Sequence, residues 1–299
     1  MKFALACDSS GVQSYYVKDS QVYKLDGSLY FRTHHIKSEC LMGFWNYPAL
    51  FNGFFINLSE PEYPEVEFDI IFAAIERNIN YLDILRKLYP SAKIIGTIKE
   101  TLVDKVIRNQ LITYTDEFVI PYLTFDLFEK YKYDTPKIIH KIPQPVNIKY
   151  LQDKFLTSKV NEIFDYNNTW VVGRSGLNQK FLQKVNYKTN TGSSKSWEEF
   201  LLLWNKSKYM INLDPTLNFG QQATQCAALK TIMIGGLNDS HKVLYPELAT
   251  CDVDSLMYQF NRLETDEEYY QKTLKYALDR LFELYSFEAV SKQIQLLNL

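Results

Sequence analysis

Two α/β domains, each built on a mostly parallel sheet, are what this sequence predicts. Three observations carry that expectation. Short apolar runs alternate with segments of helical period, which is the pattern of βα units. The chain has 299 residues, a length that suits two domains of roughly 100–200 residues each. Pro143 and Pro145 stiffen the chain near its middle and mark the boundary.

The elements follow in order. Lys2–Cys7 reads as a first strand, closed by the polar turn Asp8-Ser9-Ser10-Gly11. Between Gln21 and Leu58, short aromatic and β-branched runs are broken by Gly27, Gly43, Pro48 and Gly53, and no single pattern emerges. Phe68–Ile75 is apolar apart from Asp69, as expected of a strand covered on both faces. Tyr81, Leu82, Leu85 and Leu88 recur at helical spacing until Pro90. Lys93–Ile98 and Glu117–Pro121 read as strands, with helices at Thr101–Gln110 and Thr124–Tyr131, the latter capped by Thr124. Lys137–Ile142 is a last strand before the prolines, and Asn147–Asp165 reads as the connection across.

A second βα series is expected beyond it. Thr169–Val172 reads as a strand ending in Gly173-Arg174, and Ser196-Trp197-Glu198-Glu199 as a capping box opening a helix to Asn205. Tyr209–Leu213 is a strand, Gln221–Leu229 a helix, and Thr231–Ile234 a strand closed by Gly235-Gly236. Thr265-Asp266-Glu267-Glu268 is a second capping box, leading a helix whose apolar face is Tyr270, Leu274, Ala277, Leu278, Leu281 and Leu284. Ser286 starts a final helix.

Composition bounds the function. Hydrophobic residues make up 46% and charged residues 23%, which excludes a disordered chain. The net charge of −2 supplies no global field toward nucleic acid or anionic membrane, although a local basic groove stays compatible with a nucleic-acid acceptor. Cys7, Cys40, Cys226 and Cys251 are widely spaced, so neither a disulfide framework nor a structural zinc site is expected, and a reducing, cytoplasmic location is. No run approaches the roughly 20 apolar residues of a transmembrane helix, and the apolar run at the N-terminus is too short for a signal peptide.

Two segments carry chemistry. Asn218-Phe219-Gly220-Gln221-Gln222 lies between a strand and a helix, where a glycine lets backbone N–H groups approach an anion at the positive end of the helix dipole. Arg174, next to Gly173 at an expected strand end, pairs with Lys180 as a clamp for a diphosphate leaving group. Both segments lie in the second half and suit one phosphorylated ligand.

With these residues in place, the second half resembles the nucleotide-binding domain of the retaining GT-B glycosyltransferases, the large family that includes glycogen and sucrose synthase relatives. The resemblance is carried by Val171-Val172-Gly173-Arg174 with Lys180, by Leu217–Gln225 with Phe219-Gly220 in register with an E-x7-E segment, by Cys226-Ala227-Ala228 and Ile232-Met233-Ile234-Gly235-Gly236, and by Tyr285-Ser286-Phe287. Ile139–Val146 followed by Asn147 is similar to the strand and turn that closes the family's first domain. The resemblance covers about 160 residues at the carboxyl side, with about 80 matched more weakly before them.

It implies two Rossmann-like domains facing across a cleft: an acceptor-side domain at 1–147, a nucleotide-sugar domain at 148–285, and a helix at 286–299 packing back on the first. It implies transfer of a sugar from a nucleotide sugar to an acceptor hydroxyl, with retention, without an essential metal and without a cofactor beyond that co-substrate. Arg174 and Lys180 would act on the leaving diphosphate; Gly173, Asp214, Asn218, Phe219, Gly220, Gln221, Gln222 and Gln225 would surround the donor. Ser10, Gly11, His35, Glu76 and Lys99 are the candidates on the sugar and acceptor side. Both glutamates of the motif are missing: Leu217 stands at the first and Gln225 at the second. Gln225 still offers hydrogen bonds to hydroxyls, and Asp214 or Asn218 are the candidates to replace the first. The acceptor is a glycan or, as in compact relatives, hydroxymethylated bases of viral DNA. A nucleotide-sugar epimerase and a non-catalytic partner subunit are the alternatives.

Overall fold

The computed structural model describes the chain except residues 9–11, 20, 31–35, 38–39, 42, 61, 76–77, 79, 98–110, 112–113, 125–137, 166–173, 191–200, 203–204, 217–218 and 298–299. Of residues 36–37, 40–41, 43–44, 174–175 and 190 it describes the backbone. The chain divides into two compact units, Met1–Val146 with Phe287–Leu299, and Asn147–Ser286.

The first unit holds an eight-stranded sheet in the order β10-β9-β8-β7-β1-β6-β2-β3. Its strands are β1 (Phe3–Cys7), β2 (Tyr15–Lys18), β3 (Gln21–Lys24), β6 (Phe54–Asn57), β7 (Ile70–Ala74), β8 (Lys93–Thr97), β9 (Glu117–Ile120) and β10 (Ile139–Lys141), while β4 (Ile36–Lys37) and β5 (Cys40–Leu41) form a separate hairpin. From β10 to β6 all neighbours are parallel; β2 and β3 add an antiparallel edge. Central strands read as unbroken apolar runs because both faces are covered: every residue of β1 and β7 is buried. Leu5 pairs with Phe55 on one side and Phe72 on the other. The segment that gave no sequence pattern, Gln21–Leu58, supplies β3, β4, β5, β6 and two 3-10 turns, Gly43–Asn46 and Pro48–Phe51. The helix α1 (Tyr81–Leu88) buries Leu82 and Leu85, with Asp83 in its first turn and Arg86 and Lys87 in its last, as the helix dipole favours. The expected helices at Thr101–Gln110 and Thr124–Tyr131 lie outside the described residues apart from Thr124, and the expected strand at Thr169–Val172 lies wholly outside them.

The second unit begins with an element the sequence reading took for connection. Asn147–Asp165 is α2 (Ile148–Phe155) followed by β11 (Val160–Asp165). The Asn147 side chain accepts a hydrogen bond from the Tyr150 N–H (3.1 Å) and caps α2. Asn147→Ala removes that cap and is expected to cost about 1 kcal/mol, read as a lowered denaturant midpoint at unchanged slope.

Beyond β11 come α3 (Arg174–Leu182), β12 (Lys188–Asn190), β13 (Ser207–Ile211), α4 (Gln221–Ala228), β14 (Ile232–Ile234), α5 (Asp239–Leu244), α6 (Val253–Thr265) and α7 (Glu267–Tyr285). The strands form a parallel sheet in the order β12-β11-β13-β14. The cap of α7 is Asp266, whose carboxylate accepts from Tyr269 N–H, rather than the expected Thr265, which ends α6. The final helix α8 (Phe287–Leu296) belongs to the first unit: Val290, Ile294 and Leu297 enter that unit's core, and Lys93 Nζ donates to the Leu297 carbonyl (2.7 Å). Among the described residues no helix is long and apolar enough to cross a membrane.

Candidate functional site

In an open parallel sheet, ligands bind outside the carboxyl ends of the strands, where the strand order reverses. In the second unit that reversal falls between β11 and β13, since the chain moves from β11 outward to β12 and then returns to β13 on the other side. Asn178, buried on α3, spans this point. Its amide donates to Asp165 Oδ1 at the end of β11 (2.6 Å), and its carbonyl accepts from Leu213 N–H beyond β13 (2.9 Å). Burial raises the Asp165 carboxyl above the usual range, and the Asn178 amide offsets part of that rise.

The neighbouring crest is built from three glycines in the left-handed region. Gly220 (φ 79°) is the N-cap of α4, and Gly235 (φ 83°) and Gly236 (φ 100°) follow β14. A Cβ on Gly220 would stand 2.0 Å from Asn238 Oδ1. Asn238 in turn caps α5, accepting from His241 N–H (3.1 Å). The next residue but one, Ser240, is fully buried and holds both carbonyls of the turn. Its N–H donates to Phe219 O (3.0 Å) and its hydroxyl to Gly220 O. Gly220 O also accepts from Ala223 N–H in the first turn of α4 (3.0 Å). The N–H groups of Gly220 and Gln221 have no acceptor among the described residues. The Phe219 ring packs edge-on against Tyr285 at the end of α7 (6.1 Å between centroids).

Two buried carboxamides are left open here. Asn212 Oδ1, just past β13, and Gln225 Oε1, in the second turn of α4, are both enclosed without a hydrogen-bond partner among the described residues. Asp214 is also buried, and its Oδ1 accepts from Thr216 N–H (2.9 Å) and hydroxyl (2.6 Å). His241, behind Gly235 and Gly236, donates from Nε2 to Met233 O (3.0 Å), while its Nδ1 has no partner among the described residues. Complete burial pulls its pKa down to about 4, offset in part by the backbone of Met233, Gly235 and Gly236.

Of the expected site residues, the structure brings Asp214, Phe219, Gly220, Gln221, Gln222 and Gln225 to the strand ends and first turns of α4. Asn218 and Gly173 lie outside the described residues. Arg174 opens α3, nine residues after β11 closes at Asp165; the residues directly before it and its side chain lie outside the described ones. Lys180 lies on the same helix, about 9 Å farther along the axis at 1.5 Å per residue. Lys180 is exposed and lines a groove of about 450 Å³ with Lys184, Cys251 and Asp252. Cys251 connects that groove to the crest: burial raises its thiol pKa, with the Gly236 backbone and the Asp214 carboxylate acting on it as well. Ser10, Gly11, His35, Glu76 and Lys99 lie outside the described residues. In the first unit, the described polar groups at the carboxyl strand ends include Asp8, which accepts from Asn78 N–H (2.9 Å), Asn57, and Thr97, whose hydroxyl is buried without a partner. His140 is structural. It donates to Glu117 (2.9 Å), which Lys93 also contacts, and these bonds outweigh burial and hold the Glu117 carboxyl below its usual range.

Sequence reasoning missed Asn178, Asn238 and Ser240, which act through tertiary contacts. The one local signal was Asn238 directly before an Asp-Ser pair, an ordinary N-cap pattern.

No family model matches this chain, and no curated protein does. Solved structures do. One is an α-glucosyltransferase in complex with UDP-glucose and DNA containing an abasic site, 13% identical, with 78% of this chain and 80% of that chain covered and a TM-score of 0.52. A second is sucrose-phosphate synthase from Thermosynechococcus elongatus, 13% identical, with 82% of each chain covered and a TM-score of 0.57. A third is HepE from Anabaena in complex with UDP and glucose, 10% identical, with 78% of each chain covered and a TM-score of 0.56. The chain therefore has the GT-B glycosyltransferase fold.

Proposed function

We propose that this GT-B chain transfers a sugar from a nucleotide diphosphate donor to an acceptor hydroxyl. The observation that carries the reading is the turn at Gly220. A left-handed glycine, backed by Asn238, opens α4 with two N–H donors that lack acceptors among the described residues, beyond the carboxyl end of β13. Such a terminus suits a diphosphate. Solved structures of the same fold with UDP-glucose or UDP support the choice of ligand.

In this reading the bond between the anomeric carbon and the diphosphate oxygen breaks, a bond to the acceptor oxygen forms on the same face, and the acceptor's proton leaves with the diphosphate. Charge builds on the departing diphosphate and on an oxocarbenium-like sugar. The Gly220 and Gln221 N–H groups, the α4 dipole, Arg174 at the positive end of α3 and Lys180 stabilise the leaving group without proton exchange. Gln225 takes a hydroxyl of the nucleoside ribose, and Asp214 and Asn218 face the transferred sugar. The outcome is retention at the anomeric carbon, with no metal required by these groups. The acceptor hydroxyl comes from a glycan or from a hydroxymethylated base in DNA. The structure carrying an abasic DNA in the same fold is the observation that keeps DNA in view.

Arg174→Ala tests the leaving-group role. Hydrogen bonds to a charged group are worth about 1.5–3 kcal/mol, so UDP affinity is expected to fall roughly tenfold to a hundredfold by calorimetry. Unchanged affinity removes Arg174 from the donor site. Incubation with UDP-glucose and either a glycan panel or hydroxymethylated DNA then reads the acceptor directly, as a new glycosidic product. Donor turnover to an epimeric nucleotide sugar, with no such product, selects the epimerase instead. Diphosphate binding with neither product points to a non-catalytic subunit.

A further inference from the structure

We infer that Ser240 is a positioning residue for the diphosphate, aiming the N–H groups of Gly220 and Gln221 at the donor by holding the opposite ends of their peptide units. The inference rests on the donor reading given above.

The described chain contains no cis peptide bonds, so within each peptide unit the carbonyl and the N–H point in opposite directions. The Phe219 carbonyl accepts from Ser240 N–H, and the Gly220 carbonyl accepts from the Ser240 hydroxyl. The N–H of Gly220 shares a unit with the first carbonyl, and the N–H of Gln221 shares one with the second. Both N–H groups are therefore turned away from Ser240 and α5. Neither has an acceptor among the described residues, which is the state of a donor pair awaiting an anion. Ser240 is itself fully buried, two residues from Asn238, which caps α5 and fills the space beside Gly220. One residue thus fixes two adjacent units, the first through its backbone N–H and the second through its hydroxyl, an arrangement that preorganises dipoles before the ligand arrives. Without the hydroxyl, the Gly220 carbonyl keeps only Ala223 N–H, and the glycine's wide backbone freedom lets the unit rotate.

The experiment compares UDP and uridine binding in the unmodified chain, Ser240→Ala and Ser240→Thr, by calorimetry for UDP and ligand-observed NMR for uridine. Ser240→Ala is expected to bind UDP about tenfold more weakly, a loss of about 1.4 kcal/mol, with uridine binding unchanged because uridine carries no phosphate. Ser240→Thr, which keeps the hydroxyl, is expected to restore UDP binding. If Ser240→Ala does not fold, Ser240→Cys, of similar size with a weak donor, takes its place with the same expectation. Equal UDP affinity in the unmodified and hydroxyl-free chains overturns the inference. So does a parallel loss of UDP and uridine, which is the mark of general structural damage. If the unmodified chain binds none of UDP, ADP and GDP, the donor reading fails and takes the inference with it.

Discussion

Gly220→Ala is expected to destabilise the second unit by about 2–5 kcal/mol and to remove nucleotide binding. Two costs add. An L-residue at φ 79° loses about 1–2 kcal/mol in the left-handed region. The new Cβ would also stand 2.0 Å from Asn238 Oδ1 and 2.3 Å from its Cγ. Asn238 cannot withdraw cheaply, because its side chain caps α5 through His241 N–H. Overpacking of this kind costs about 1–3 kcal/mol. Gly27→Ala is the control: its φ is 85°, yet nothing lies within 4 Å of the added Cβ. Only the backbone cost of about 1–2 kcal/mol applies there. Chemical denaturation of the two variants separates strain from collision, and equal losses in both contradict the wedge described at Gly220.

Acid is expected to unfold the second unit earlier than its carboxylates alone require, because of His241. The group is buried and neutral, with a folded pKa of about 4 against an ordinary 6.5. Between those values the unfolded chain binds a proton that the folded chain does not, so stability falls as pH falls. The stability is fully present above about pH 6.5 and is progressively lost as pH descends through the folded value near 4. The full penalty is about 3 kcal/mol at 1.36 kcal/mol per pH unit. Thermal midpoints from pH 7 to 4 should decline in the unmodified chain. In His241→Gln, which keeps a donor for Met233 O, the midpoint should be lower at pH 7 but flatter across the range. An identical pH slope in both proteins would contradict the assignment.

The fold was legible where burial leaves a simple trace. β7 stood out within Phe68–Ile75, apolar apart from Asp69, because a central strand shows no polar alternation, and α1 was marked by its spacing and by Pro90. β11 was not legible, since its first half, Val160-Asn161-Glu162, is exposed or half-buried and dilutes the apolar signal of Ile163-Phe164. α5, with six residues, is too short to show a period. The edge strands β2 and β3 span four residues each and mix lysine with aromatics.

The site divides along the same line. Gly220 was readable as a glycine before a helix, which is a local property. Ser240 lies twenty residues from Gly220, and Asn178 thirty-five from Leu213. Their roles arise only when the sheet and α5 assemble, so no spacing in the sequence announces them. Arg174 opens α3, and the strand expected just before it, Thr169–Val172, lies outside the described residues.

The most direct test of the central claim is thermal unfolding of the unmodified chain with UDP, UDP-glucose, ADP and GDP. At one hundred times its dissociation constant, a nucleoside diphosphate that binds the folded state should stabilise it by about 2.7 kcal/mol, giving a clear rise in the midpoint. Such a rise with at least one diphosphate is the result the donor site at Gly220 predicts. Midpoints unmoved by every diphosphate and nucleotide sugar, up to millimolar concentration, would contradict it.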